Sequence, residues 1–415
     1  MSGTAGTTAE VETQQESRVT GATATTPVVV CLGPWYEDAP ADHLQPLLQV
    51  LREALGELAS QTLVAYPASD PHATSWEHEG MMLQPYLPSA RLQTWFVQTA
   101  TSYLSLYEVM RAHSSTCGVL LGADAHTLQP AAIRALVDTV LGGQVDLAVA
   151  RYQIAADEGL INASMLHPVS RALFGIKAAF PLALDLSLSN RMAERMAAAA
   201  QRLTTASQPE AIVWAAAEAA VASFSVAEVD AGVRELPHPA GSDLSTILNT
   251  TASSLFSDVE AKASFWQRVR PASTLLTVPA VPTFVSAAEP AQKEELSELV
   301  DSFRIGYGNL HEIWSLVLPP QTLLGLKRLS TTPVESFLMP EALWVRIVYD
   351  FVLAHRLRTI NRSHLLGSFT PLYLAWVASH LLNSHAATAE NLARAFEADK
   401  PYLVSRWRWP DRFNP

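Results

Sequence analysis

The chain is short of several things. It has only 2 cysteines, Cys31 and Cys117, among 415 residues, which excludes a disulfide framework and a cysteine-rich zinc site. It is poor in charge: 16% of residues are Asp, Glu, Lys or Arg, against roughly 25% for an average soluble chain. What charge there is leans acidic, 28 basic against 40 acidic residues for a net of −12, so the basic surface of a nucleic-acid binder is missing. No uninterrupted run of about 18 uncharged apolar residues occurs, so no spanning helix is expected despite a mean hydropathy of +0.12. Gly-x-Gly-x-x-Gly and phosphate-loop sequences are absent, which argues against Rossmann dinucleotide and P-loop nucleotide binding. The Gly-x-Ser-x-Gly elbow of many hydrolases is absent too. No two histidines are spaced to ligate a metal from one helical face.

Apolar residues are plentiful, at 49%. They rule out a disordered chain, because they supply enough buried surface to offset chain entropy. Much of the excess is alanine, as in Met196–Ala200 and Trp214–Ala222. Residues 1–26 are the exception: rich in Thr, Ala, Ser, Glu and Gln, they read as a disordered tail with neither the basic nor the apolar region of a targeting signal. A cytoplasmic location is the default expectation. The length suggests two domains, or one large domain with an extension.

The first two-thirds alternates. Pro27–Leu32, Thr62–Tyr66, Cys117–Leu121 and Val145–Arg151 are short apolar runs of the kind that form buried strands. Between them, His43–Leu58, Leu92–Ala112 and Pro130–Leu141 carry apolar residues at helical spacing. Alternation of this kind predicts an α/β fold, a mostly parallel sheet flanked by helices, with ligand at the carboxyl ends of the strands. Those ends are Pro34–Asp38, Ala68–Thr74, Gly122–His126 and Tyr152–Asn162. The last third differs. Prolines 271, 279, 282 and 290 suggest a linker over 271–290, and the helical patterns Glu294–Leu318, Pro340–Thr359 and Thr370–Leu382 follow with no strand between.

Two carboxylates stand out. Asp124, in a Gly-Ala-Asp-Ala-His turn after a strand, suits a divalent cation that bridges nucleotide phosphates, or caps the helix starting near Pro130. Asp185, in an apolar surround, is an N-cap for Ser189–Ala200 or a buried functional carboxylate. His238, in a rigid Leu-Pro-His-Pro loop, could reach a metal, or simply face solvent. Glu218 is a weaker site candidate, most simply a solvated helix face. Arg406-Trp-Arg-Trp409 either binds anions or a membrane surface, or packs on the helical region.

Several segments in fixed order resemble bacterial GT-A-type glycosyltransferases related to glucosyl-3-phosphoglycerate and mannosylglycerate synthases. They are Asp157-Glu-Gly-Leu-Ile-Asn162, His167-Pro-Val-Ser-Arg-Ala-Leu-Phe-Gly175, Pro181-Leu-Ala-Leu-Asp-Leu-Ser-Leu-Ser189, Leu343-Trp-Val-Arg-Ile-Val-Tyr-Asp350 and Pro371-Leu-Tyr373. The resemblance spans about 27–405. It implies a nucleotide-sugar domain over 27–270 and a helical C-terminal region over 291–415. It also implies retaining hexosyl transfer from a nucleoside-diphosphate sugar to a small, glycerate-like hydroxyl acceptor, with a divalent metal (Mg or Mn), and a homodimer. Carried over by position, Asp185 becomes the catalytic candidate. Pro34, Tyr36, Glu37, Asp70, Arg91, Asn162 and Arg171 become substrate-binding, and Asp124 and His238 metal-binding.

The chain departs from the family's pattern at the strand ends. Pro67–Thr74 lacks the glycines of the second-strand loop, and Leu87-Pro-Ser-Ala-Arg91 lacks the lysine, with Arg91 no more than a candidate substitute. Gly122-Ala-Asp124 keeps the second aspartate of the metal pair alone. Ala183-Leu-Asp185 replaces Gly-Gly-Asp, and Leu236 takes the place of a metal-ligand histidine. Fewer charged oxygens weaken a hard-cation site, and a side chain in place of glycine blocks close approach of a substrate to the backbone. A catalytically inactive binding or scaffold protein on the same fold is the alternative.

Overall fold

A computed structural model describes residues 26–33, 40–68, 72–86, 97–155, 158–206, 208, 211–234, 244–268, 275–282, 293–383 and 388–410. The expected tail lies outside them except for its last residue, Thr26.

Nine strands form one sheet in the order β3-β4-β2-β1-β5-β7-β6-β8-β9. Next to its central strand lies β1 (Val28–Leu32), five residues of Val, Cys and Leu buried on both faces, as a strand covered by helices on each side must be. Helix α1 (Pro40–Leu55) buries Leu47, Leu48, Leu51 and Leu55, and leads to β2 (Thr62–Pro67), parallel to β1. A hairpin of β3 (Trp76–His78) and β4 (Met81–Tyr86) follows, turning at Glu79 and Gly80, both at positive φ. Helix α2 (Ala100–Ala112) then carries the chain back across β1 to β5 (Cys117–Leu121), parallel to β1 on its other side.

Helix α3 (Pro130–Leu141) leads to β6 (Leu147–Gln153). A π-helical turn, Asn162–Leu166, runs into α4 (His167–Phe174). Strand β7 (Leu186–Ser189) then enters antiparallel between β5 and β6. Helices α5 (Asn190–Thr205) and α6 (Ala215–Ala222) precede β8 (Val226–Val233), parallel to β6. Helices α7 (Leu244–Ala261) and α8 (Ala263–Trp266) precede the edge strand β9 (Leu276–Val278), which lies within the stretch expected to be a linker. Its residues extend the sheet, so that stretch is tied to β8 in part.

The remainder is helical: α9 (Lys293–Ser315), α10 (Pro320–Ser330), α11 (Glu341–Leu357), α12 (Arg362–Leu382) and α13 (Thr388–Arg408). The mostly parallel sheet, its flanking helices and the helical C-terminal region agree with the sequence reading. One sheet face packs on α1 and α3. The other packs on α2, α4, α5 and α6, and that core runs on without interruption into α7 and α9–α13. Helix α12 is, by length and composition, apolar enough to cross a membrane, contrary to the expectation from uncharged runs, because serine, glycine and histidine interrupt the run without lowering its mean hydropathy below 1.3. Of that window, 61% is buried inside the protein, where α12 packs on α9 and α7.

Candidate functional site

The winding of the sheet locates a site. From β1 the chain proceeds outward through β2 and β4, then crosses back to β5, so the order reverses between β1 and β5. Open sheets bind ligands in the crevice outside the carboxyl ends of the strands at such a reversal. Both strands end on glycine here. Gly33 donates its N–H to the Leu121 carbonyl at 2.6 Å, and a Cβ on Gly33 would stand 3.0 Å from that same oxygen. Gly122 follows β5, and a Cβ there would meet the Leu184 Cβ at 3.0 Å. Glycine is needed because the two backbones and Leu184 leave no room for a side chain.

Asp124 is half-buried and left-handed, with φ of 58°. It begins a short 3-10 turn over Ala125–Thr127, while Gln129 occupies the N-cap position of α3. The helix-cap alternative for Asp124 is therefore not realised at α3. Its carbonyl accepts from the Thr127 N–H (2.9 Å), the Thr127 hydroxyl (2.8 Å) and Arg234 Nη1 (2.7 Å).

Asp185 lies at the entry to β7, and its side chain has no solvent exposure. The cap of α5 is Ser189, whose hydroxyl accepts from the Met192 N–H, so the capping alternative for Asp185 is overturned. Its two oxygens are fully engaged. Oδ1 accepts from the Gly122 N–H at 2.9 Å. Oδ2 accepts from the Tyr152 hydroxyl at 2.9 Å and from Arg234 Nε at 2.9 Å. The Tyr152 oxygen in turn accepts from the Asp185 N–H at 2.9 Å. Burial pushes the Tyr152 phenol well above its ordinary range, and the neighbouring carboxylate adds to the shift. Burial also works against the Arg234 cation, but Asp185 and Tyr152 outweigh it and hold the guanidinium charged.

A bulge explains how these groups meet. Between Arg151 and Tyr152 the register against β8 slips by one residue, opposite Gly232 at φ 73°. A bulge re-aims side chains at a strand end. Arg234, just past β8, then reaches across the strand ends to Asp185, the Ala123 and Asp124 carbonyls and the Thr127 hydroxyl. Sequence reasoning passed over Tyr152 and Arg234 as site residues. The signal that could have found Arg234 was electrostatic: a carboxylate in an apolar stretch needs a buried cation.

Other candidates lie elsewhere or outside the described residues. Asn162 is in the π-helical turn, and its side chain donates to the Ala179 carbonyl at 2.8 Å. Arg171, on α4, pairs with Glu390 at 2.6 Å and Glu397 at 3.0 Å on α13. Glu218 is not on a solvated face: it is 5% exposed and pairs with Arg195 at 2.8 Å and Lys262 at 3.0 Å. The Arg406–Trp409 segment packs inward in part. Arg406 pairs with Asp350 at 2.5 Å, and buried Trp407 packs edge-on against Trp266. Pro34, Tyr36, Glu37, Asp70, Arg91 and His238 lie outside the described residues, as do Asp157 and Leu236.

The donor set tests the implied metal. Among the described residues, no three His, Cys, Asp or Glu side chains converge as a cation would require. The Asp185 side chain is fully buried and accepts from Gly122, Tyr152 and Arg234, so it presents no oxygen to an open site. Asp124 alone does not fit a resident divalent cation, which wants several charged oxygens.

Comparison with known proteins gives little beyond likeness. No protein-family model matches the chain, and no curated protein matches it. Among solved structures, it is similar to glucosyl-3-phosphoglycerate synthase from Mycobacterium tuberculosis in complex with Mn2+, UDP-glucose and phosphoglyceric acid. That match has 14% identity and a TM-score of 0.36, and covers 60% of this chain and 85% of that one. A second structure of that synthase, with Mn2+, UDP-glucose and glycerol 3-phosphate, matches at 13% identity and a TM-score of 0.34 with the same coverage. A further mycobacterial protein matches at 13% identity and a TM-score of 0.34, over 57% of this chain and 76% of its own.

Proposed function

We propose that this chain is a glycosyltransferase-type protein that binds a nucleoside-diphosphate sugar in the crevice between the carboxyl ends of β1 and β5 and passes the sugar to a small hydroxyl acceptor. The observation that carries the reading is the reversal point itself: two strands ending on glycines, with Asp124 held in a fixed left-handed turn immediately beyond. The ordered sequence motifs support it independently. In this reading Pro34, Tyr36, Glu37, Asp70 and Arg91 are the substrate-binding candidates, while Asn162 and Arg171, committed to Ala179 and to Glu390 and Glu397, are not assigned to the crevice. The protein's contribution is positioning of donor and acceptor and stabilisation of the departing diphosphate. Where the family would use a divalent metal through Asp124 and His238, the described donors do not fit one, and no step is assigned to it.

A second reading, binding without transfer, is favoured by one observation. The carboxylate that would orient the reacting sugar, Asp185, is closed off by three protein donors. Calorimetry with UDP and GDP, with and without Mn2+, tests the common part: saturable binding of at least one of them below millimolar concentration is expected. No binding of either nucleotide at millimolar concentration overturns both readings. Release of nucleotide from a panel of nucleotide sugars in the presence of glycerate separates them.

A further inference from the structure

A cavity of about 390 Å³ lies where the helical region meets the sheet unit, within the roughly 300–1,000 Å³ usual for small-molecule sites. It shares no residue with the reversal point between β1 and β5. Ala163, in the π-helical turn, forms its wall on the sheet side. The segment before α11, the first turn of α11, the end of α12 and Leu392 of α13 form the rest.

These walls are tied to one another. The Met339 N–H donates to the Ser379 hydroxyl at 2.9 Å, and Asn383 Nδ2 reaches the Phe337 carbonyl at 3.5 Å, so the segment before α11 is held on α12. Trp376 stacks on His380 with ring centroids 4.8 Å apart and leans on Trp344 at 6.0 Å. Beside Ala163, the Ser164 carbonyl accepts from Trp344 Nε1 at 2.9 Å. Walls fixed before binding spare a ligand the cost of ordering them.

The chemistry of the lining is one-sided. Leu338, Met339, Trp376 and Leu392 make it mostly apolar. No lysine or arginine lines it among the described residues, and Glu341 is its one carboxylate. Burial holds the His380 ring below its ordinary value, so that ring adds no positive charge near neutrality. Glu341 is half-buried, with no ion-pair or hydrogen-bond partner among the described residues. Its position in the first turn of α11 suits the helix dipole, which leaves the carboxylate oxygens available to a ligand. A phosphate or carboxylate entering here would meet a like charge and no cation. An ammonium group would meet a counter-charge beside an apolar wall, where the attraction is stronger than in bulk water.

We propose that this cavity is a binding site for a small apolar amine, whose hydrocarbon or aromatic body lies against Leu338, Met339, Trp376 and Leu392 and whose ammonium group pairs with Glu341. The site stands independently of the nucleotide reading, because the two share no residue.

The test is calorimetry of the full chain with three probes of one shape: 1-naphthylmethylamine, 1-naphthylmethanol and 1-naphthoate. The amine should bind below millimolar concentration, about fivefold or more tighter than the alcohol, with naphthoate the weakest. Glu341→Gln should bring amine and alcohol within about twofold of each other by weakening the amine alone. Ala342→Trp, at an exposed position that lines the cavity, should weaken amine and alcohol together by about fivefold or more. Thermal unfolding checks that both variants remain folded. Equal affinities for amine and alcohol in the unaltered protein overturn the proposal, as does tighter binding of naphthoate. A preference for the amine that Glu341→Gln leaves intact, or binding that Ala342→Trp does not weaken, places the amine elsewhere and overturns it too. So does the absence of binding by all three probes.

Discussion

At the scale of single residues, the most consequential pair is Asp185 and Arg234, both without exposed side-chain surface and 2.9 Å apart. Two charges taken out of water are costly, and such a pair is worth keeping only when the remaining donors and acceptors are satisfied. Here they are: Gly122 and Tyr152 complete the carboxylate, and the Ala123 and Asp124 carbonyls with Thr127 complete the guanidinium. Removing one charge while leaving the other buried is the expensive change. Asp185→Asn should lower stability by about 3–5 kcal/mol. Tyr152→Phe, which removes a donor to Asp185 Oδ2 and the acceptor of the Asp185 N–H, should cost about 1–3 kcal/mol. Urea midpoints measured at unchanged m-value check both. An Asp185→Asn midpoint equal to that of the unaltered chain would mean that the network does not hold the strand ends together. The location of Asp185 could be read in the sequence, because a carboxylate amid Leu and Ala is either a cap or a buried charge. Its partner could not, because Arg234 lies 49 positions away and reaches it only through the bulge at Gly232.

At the scale of elements, α11 and α13 are joined by a polar network inside an apolar seam. Asp350 on α11 accepts at Oδ1 from the Tyr402 hydroxyl (2.7 Å) and Arg406 Nη1 (2.5 Å) on α13, while its buried Oδ2 has no hydrogen-bond partner among the described residues. Burial pushes the Asp350 carboxyl from 3.8 up to about 7, with Arg406 and Tyr402 pulling only partly the other way. The sign follows from proton linkage: between about pH 4 and pH 7 the folded protein holds this proton and the unfolded chain does not. Asp350 therefore contributes stability that is fully present below pH 4 and lost as pH rises through 7, on the order of 1 kcal/mol per pH unit within that window. Asp350→Asn should flatten this part of the stability–pH curve, measured as urea midpoints from pH 4 to 8. An unchanged slope would assign the pH dependence to other groups. Elements with a strong period were legible beforehand: Cys117–Leu121 and Pro130–Leu141 form as read, and α9, α11 and α12 overlap their expected ranges. The hairpin β3–β4 was not, because Met81–Tyr86 contains a proline and Trp76–His78 sits on an exposed edge. Strand β7 was not either: its four residues, Leu-Ser-Leu-Ser, run straight into α5, so that the helix start obscured the strand end.

At the scale of the whole molecule, the composition anticipated two regions, and the packing joins them. The core on one sheet face continues into the C-terminal helices through Met165, Val169, Phe256 and Trp344, all buried. The junction is also polar. Trp344 Nε1 on α11 donates to the Ser164 carbonyl in the π-helical turn at 2.9 Å, and Arg171 on α4 reaches Glu390 and Glu397 on α13. None of these contacts is visible in the sequence, because each links positions that are 180 or more apart. Two regions that share a core without a break should unfold together, since opening the helices exposes the α4 face of the sheet unit. Thermal unfolding should accordingly show one transition, with calorimetric and van't Hoff enthalpies in agreement. Trp344→Ala removes the largest side chain at the junction, which is fully buried and stacked on Phe369 at a ring separation of 5.5 Å. The loss should be about 3–5 kcal/mol, a large share of the roughly 5–15 kcal/mol that holds a typical fold. The discriminating result is where that loss falls. A single transition moved bodily to lower temperature means that the sheet and the helices form one cooperative unit. Two transitions, one shifted and one left in place, would mean that the sheet unit stands without its helical partner, and the continuity of the core would then be contact without cooperativity.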